Sequence, residues 1–420
     1  MTEIATLTLA ALLLQGPSLE SSSPRDRVEA VEQMSKPGAT QAIPALAQAL
    51  KKESRSDVRA AIVVGLARIG GPEAVPVLTE TLRSDLDKDV RLQTVDSLQR
   101  LYIPIEDAGP IRTIFNRVRS VFAEPDRPLV VNEASVDPKV KEALATAMQR
   151  DFDGEVRAAS ARALGSLKAR DQLPALIATL ESPQNREHDA VRLEAVRSLG
   201  VIRDPAAGPV LERTVRDSDH EVAEEAILAL GLVGYKQARP LVENLFRTDG
   251  NRDVKRRSIE ALALMRDPAS APFFETLLPN SDDYYREMAA EGLARIGWDV
   301  VKLKDRLSQE KRANVRNALA FALASADQDE YIGELANALD SRFDYQAEGY
   351  LYELGKFEGK LPQLHGYLKS ANPKVRARMA RVLGNIGDPS SREQIQALMQ
   401  DSNLEVLREA TAALRRLNAQ

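Results

Sequence analysis

A leucine recurs with the period of a helical pair along almost the whole chain, and this restricts the fold more than any other feature. Leu66, Leu98, Leu164, Leu199, Leu230, Leu262, Leu293, Leu323, Leu354, Leu383 and Leu414 follow one another at 29 to 35 residues, apart from one interval of 66 that reads as two periods of 33. Eight residues before each leucine stands a marker residue. It is valine in nine copies (Val58, Val90, Val156, Val191, Val222, Val254, Val315, Val375 and Val406) and Tyr285 or Gln346 in the other two. Positions four and eight apart share one face of a helix. With a small or apolar residue midway, such as Ile62, Ala195, Ala226, Ala289 or Ala410, marker and leucine make a buried stripe. A basic residue follows the marker in eight copies: Arg59, Arg91, Arg157, Arg192, Lys255, Arg286, Arg316 and Arg376. Acidic residues just before it, such as Asp57, Asp89, Glu155 and Asp253, stand where free amides at a helix start need caps.

Ten residues after the leucine comes proline in five copies: Pro76, Pro174, Pro209, Pro240 and Pro272. Proline suits the first turn of a helix, so a second helix begins there. Each repeat is therefore helix, short turn, helix, and self-similarity at this period means a solenoid rather than a globule. No run alternates with strand period, and no sheet is expected. The segments DVRAAIVVGLARIGGPEAVPVLTETL (57–82), EVRAASARALGSLKARDQLPALIATL (155–180) and KVRARMARVLGNIGDPSSREQIQALM (374–399) resemble HEAT-like repeats of the phycobilisome lyase type. The resemblance covers roughly residues 24–417. It implies an all-α, right-handed α-solenoid of about twelve helical pairs, with second helices lining the concave side. Most such proteins are scaffolds or adaptors and a few are enzymes.

The expected organisation is an N-terminal capping helix or signal-like segment (1–23), HEAT-like repeats (24–122), an irregular insertion (123–138), and further repeats ending in a lone C-terminal helix (139–420). The insertion carries Pro125, Pro128 and Pro138 where a marker leucine is due, and proline breaks a continuous helix. The apolar run Ile4–Leu14 is shorter than the ~20 residues a membrane span needs. As a capping helix it leaves the chain cytoplasmic; as a degenerate signal peptide it makes it exported or periplasmic.

The net charge is −5 and the pI about 5.6, against the basic surface that phosphate binding calls for, so no nucleic-acid partner is expected. There is no cysteine, which removes thiolate nucleophiles and cysteine-based metal sites. Of 19 aromatic residues, 13 fall between Phe273 and Tyr367, and residues 327–358 hold nine acidic against two basic side chains. Tyrosine and tryptophan bury area at interfaces at little entropic cost, and an acidic surround steers a basic partner. The candidate partner-binding residues are Tyr284, Tyr285, Trp298, Phe343, Tyr345, Tyr350, Tyr352 and Phe357. Others of the group, such as Phe321 two residues before Leu323, are expected in the core.

Catalytic material is thin. There are three histidines, His188, His220 and His365, and no phosphate-binding glycine loop or nucleophile elbow. His188 and His220 precede adjacent markers, with Asp189 and Glu221 alongside. Deoxyhypusine hydroxylase, a HEAT-like enzyme, holds two irons with several His-Glu pairs; here the one such dinucleotide is His220-Glu221. No metal, cofactor or catalytic residue is assigned, and the chain is expected not to be an enzyme. The expected function is a scaffold or adaptor that binds another protein, of basic or apolar surface, on the concave face or rim. The alternative is an accessory enzyme or chaperone, lyase-like, that holds a substrate protein during modification.

Overall fold

A computed structural model describes residues 18–103, 136–298 and 301–418. The proposed capping or signal segment is outside them but for residues 18–23, and so is the insertion but for residues 136–138. Among the described residues there are 23 α-helices and no strand. None of these helices is long and apolar enough to cross a membrane. The helices alternate between two kinds. Those carrying the Val-to-Leu stripe, called marker helices here, take odd numbers. Their companions, mostly begun by proline and often entered through a single 3-10 turn, take even numbers.

The chain divides into two compact units, with the division inside one marker helix. Unit 1 contains α1 (Pro24–Met34), α2 (Ile43–Lys52), α3 (Ser56–Ile69), α4 (Ala74–Ser84), α5 (Lys88–Arg100), α6 (Pro138–Arg150), α7 (Gly154–Ser166), α8 (Leu173–Glu181), α9 (Asp189–Ile202), α10 (Gly208–Thr214) and the start of α11 (His220–Leu232). Unit 2 contains the rest of α11, then α12 (Arg239–Thr248), α13 (Arg252–Met265), α14 (Ala271–Leu277), α15 (Asp283–Arg295), α16 (Val301–Gln309), α17 (Ala313–Ser325), α18 (Ile332–Ala338), α19 (Asp344–Leu354), α20 (Leu361–His365), α21 (Pro373–Ile386), α22 (Arg392–Ala397) and α23 (Leu404–Asn418). Each unit is a solenoid stack in which one helical pair packs on the next.

The stripe is the core. Ten of the eleven marker leucines are buried, as are Val58, Val90, Val156, Val191, Val222, Val315, Val375 and Val406. Leu414, on the last described helix, is half-exposed. Marker helices pack on their successors more extensively than companions do, and small residues permit it. A Cβ at Gly231 would fall 2.5 Å from Ala261 Cα, and one at Gly384 2.6 Å from Ala413 Cα. In unit 2 marker helices even reach past their neighbour: Gln346 on α19 bonds Glu287 on α15 at 2.8 Å. Marker helices therefore form the more closely packed layer of each stack.

Two expectations change. The helix caps lie two residues earlier than proposed: Asp87, Asp153, Asn251, Asp282 and Asn372 accept backbone N–H bonds as N-caps. The 66-residue interval is one repeat step, not two. Arg91 on α5 forms a twofold ion pair with Asp151, just before α7, at 2.8 Å in both bonds, and Lys88 pairs with Glu155 at 3.2 Å. Helix α5 thus meets α7 directly.

That Arg91 contact recurs. The arginine after the marker forks onto an acidic side chain at the end of the next companion helix: Arg59 on Asp85, Arg192 on Asp217, Arg286 on Glu310 and Arg376 on Asp401, each with one bond of 2.7 to 2.9 Å. Its other nitrogen donates to two carbonyls of the turn before its own helix, as Arg91 does to Asp85 and Leu86 at 2.9 and 3.2 Å. Arg27 does the same with Glu53. Planar bidentate pairing is the guanidinium's strongest geometry. Replacing Arg91 by Ala strands Asp151, whose side chain is 6% exposed, and is expected to cost about 2–4 kcal/mol. Urea unfolding should show this as a clear drop in midpoint, while Lys88→Ala, on the surface, leaves the midpoint where it was.

Candidate functional site

In unit 2 the arginine clamp fails between α17 and α19. Arg316 turns aside to Glu334, and α19 carries Ala347 after its marker in place of a basic residue. A buried polar network joins the marker helices instead. Glu287 of α15 accepts from Asn314 Nδ2 at 2.6 Å and from Gln346 Nε2 at 2.8 Å. Asn317 donates to Gln346 Oε1 at 3.0 Å. The Tyr350 hydroxyl donates to Glu291 and lies 3.0 Å from Gln346 Nε2. Arg295 spans Glu291 at 3.0 Å and Glu353 at 2.9 and 3.1 Å, and Arg266 adds a bond to Glu353 at 3.1 Å. The ring of Tyr350 stacks on Phe321 with centroids 4.7 Å apart, under the Arg295 guanidinium 5.4 Å from the Phe321 centroid. Gln346 makes this possible: an amide at the marker position both donates and accepts, which valine cannot.

Burial raises the Glu291 carboxyl to about 7, aided by the nearby Glu287 charge and opposed by Arg295 and the Tyr350 bond. Burial also raises the hydroxyls of Tyr350 and Tyr284, with the carboxylates Glu291 and Glu260 adding to it. A second buried carboxyl, Glu348, is likewise raised to about 7 by burial, despite Arg381 and Arg378 close by. Its Oε2 has no hydrogen-bond partner. Unit 2 therefore holds two carboxyls poised to exchange protons near neutral pH.

The eight aromatic candidates separate into distinct environments. Tyr350 and Tyr284 are corrected from surface to core: they are 2% and 8% exposed, and their hydroxyls are committed to Glu291 and Glu260. Tyr345, 53% exposed, is the one large exposed side chain of the set. Tyr285 is half-buried against Phe246, with ring centroids 5.2 Å apart. Tyr352 is half-buried beneath Lys356, 3.8 Å from the ring centroid, and Trp298 is also half-buried. Phe343 carries Arg342 over its ring at 4.7 Å. It lines an open pocket of about 280 Å³ with Asp283, Arg312, Asn314 and Arg342. Phe357 lines another of about 450 Å³ with Lys356, Glu358 and Asp388 among others. Phe321 lies in the core, fully buried. Glu287, Glu291, Arg295 and Glu353 escaped the sequence reading; the clue was Gln346, the polar residue in an otherwise apolar marker column.

The histidines do not converge. His188 and His220 are exposed on unit 1, and Glu221 is bridged to Arg197 at 2.9 Å. His365, in unit 2, meets Ser391 Oγ at 2.9 Å, and burial lowers its pKa. Among the described residues no three His, Asp or Glu side chains are grouped to hold a metal ion.

The chain matches the model of HEAT repeats over residues 12–99, 141–230, 184–255, 209–294, 240–324 and 361–420. It is 26% identical to deoxyhypusine hydroxylase-B of Oryza sativa subsp. japonica over 205 residues, 47% of this chain and 67% of the rice protein. It is 26% identical to deoxyhypusine hydroxylase of Candida albicans over 245 residues, 55% of this chain and 75% of the yeast protein. Among solved structures it is similar to the complex of CpcE and CpcF of phycocyanin lyase from Nostoc sp. PCC7120, with a TM-score of 0.38 and 19% identity, covering 62% of this chain and 92% of that one. The expectation that the chain is not an enzyme is overturned by the two curated relatives, both named as a hydroxylase. The two irons of that enzyme class find no fitting donor set among the described residues. The buried carboxylates Glu287, Glu291 and Glu353 are bound to amide, phenol and guanidinium groups, with no imidazole among them.

The raised carboxyls carry a pH signature. In the unfolded chain a glutamate ionises near pH 4.3; in the folded chain Glu291 and Glu348 keep their protons up to about 7. The folded state holds more protons between those values, so this contribution to stability is present at low pH and is lost as pH rises towards 7. Trp298, the single tryptophan, lies in unit 2 and reports its unfolding. Urea midpoints read from its fluorescence should fall from pH 5 to 7.5 in the native chain. Glu291→Gln, which mimics the protonated group, should flatten that fall.

Proposed function

We infer, from the premise that the chain belongs to the HEAT-repeat family, that it is an accessory enzyme that holds a substrate protein while that protein is modified. The observation that carries this reading is the likeness, over about half the chain, to two proteins named for an enzymatic hydroxylation. A pure adaptor has no counterpart in that likeness. The physical form agrees with it. Stacked helical pairs present a long surface on which many weak contacts add up. The start of α19 offers exposed Tyr345 beside half-buried Phe343 and the pocket with Arg312 and Arg342. Aromatic side chains with a wet edge anchor partners of this kind. Among the described residues no three His, Asp or Glu side chains are grouped to hold a metal ion, so no residue is given a role toward iron.

The reading is tested in cells with and without this chain. Crosslinked partners are recovered on the chain, and the modification state of each is read by mass spectrometry. One dominant partner that loses a modification when the chain is removed is the expected result. A partner whose modifications are unchanged would return the protein to the adaptor reading. Replacing Tyr345 and Tyr352 together by Ala should lower recovery of that partner several-fold while leaving the thermal midpoint within about 2 °C of the native value.

A further inference from the structure

Most marker helices are entered through one kind of turn, and before α5 and α7 in unit 1 its backbone is held from two sides. Asp85 accepts the N–H of Asp87 at 2.9 Å, and Asp151 that of Asp153 at 2.9 Å. Asp87 and Asp153 in turn cap α5 and α7. From the other side Arg91 donates to the carbonyls of Asp85 and Leu86, and Arg157 to those of Asp151 and Phe152 at 2.8 and 3.2 Å. The middle residue of the turn, Leu86 or Phe152, contributes only its carbonyl to this arrangement, and its side chain is turned to solvent.

The fold makes no demand on that side chain. At the same place in other repeats stand Ser54, Ser218, Gly250, Ser281, Lys311, Arg342, Ala371 and Ser402. Leu86 and Phe152 are nevertheless large and apolar, 96% and 99% exposed. A single exposed apolar residue is ordinary. Two at the same turn position on consecutive repeats, in turns joined by Arg91–Asp151 and Lys88–Glu155, form a row. With the pairs Lys88–Glu155 and Arg83–Glu80 set aside, their surroundings are acidic on balance: Asp87, Asp89 and Asp153 against Arg150.

We propose that Leu86 and Phe152 are a two-point apolar contact by which unit 1 docks a partner protein whose apolar sockets are rimmed by lysine or arginine. Charge decides the occupant. A second copy meeting the same face would set acid against acid, and an anionic lipid surface would be repelled. A basic apolar surface gains both the burial and the attraction. The contact lies wholly in unit 1 and is independent of the unit 2 reading.

The test uses the full chain and, as probe, a labelled amphipathic helical peptide built only from leucine and lysine. The expected result is saturable binding that weakens about tenfold in the double variant Leu86→Ser/Phe152→Ser. Serine is what neighbouring turns carry, so its thermal midpoint should match the native one. Ser54→Phe extends the row by one repeat and should tighten binding, which keeps the idea testable if the double variant folds poorly. The proposal is overturned if the native chain does not bind the peptide, or if the variants bind it as the native chain does. It is overturned equally if a leucine–glutamate peptide binds as well. Vesicle binding to phosphatidylserine, or self-association in sedimentation, that disappears in the double variant would assign the row to lipid or to a second copy instead.

Discussion

A helical pair has two apolar faces and cannot bury both, so each repeat is stable only through its neighbours. In this protein the arginine after the marker turns that dependence into a defined step. It sits at the first turn of a marker helix, grips the turn that leads into it, and forks onto the carboxylate that closes the next companion helix. One side chain thereby sets the turn, the spacing and the direction of the next repeat. Its partners are mostly shielded from water, so the pairs are less weakened by salt than surface bridges are. The clamp also holds over the longest interval: Arg91 finds Asp151 across 60 residues as Arg59 finds Asp85 across 26.

Where the clamp is missing, unit 2 uses a different device. Glu287, Glu291 and Arg295 on α15 are tied to Gln346, Tyr350 and Glu353 on α19, past the helix between them. Close approach of alternate marker helices places acids in the interior, where at least one keeps its proton to near neutrality. A buried network of this kind holds one arrangement only when each member is bonded. Glu348 stands outside that network: one oxygen faces Arg378 and Arg381, and the other has no hydrogen-bond partner. Proton-sensitive packing beside the aromatic start of α19 puts the two notable features of unit 2 in one place.

The aromatic cluster shows how far a composition signal carries. It singled out one stretch of chain, and within it Tyr345 is a surface residue. Tyr284 and Tyr350 belong to the interior because each hydroxyl has a buried carboxylate to bond. A tyrosine in sequence looks the same in either case; the difference lies in its partners 24 and 59 residues away. Exposed Leu86 and Phe152 are the converse, apolar residues that pattern reading passes over because they fall in turns.

The helical repeat, its stripe of valine and leucine and the prolines that open the companion helices were legible in the sequence alone, because they depend on spacings within one or two turns of helix. The basic residue after the marker was legible too, though not its partner. Three things were decided only by the tertiary structure: which helices pack most closely on one another, that α5 meets α7 directly, and that carboxylates from alternate repeats share one buried network. Each depends on how successive repeats are rotated and how closely their backbones approach, a property of the stack that no single period contains.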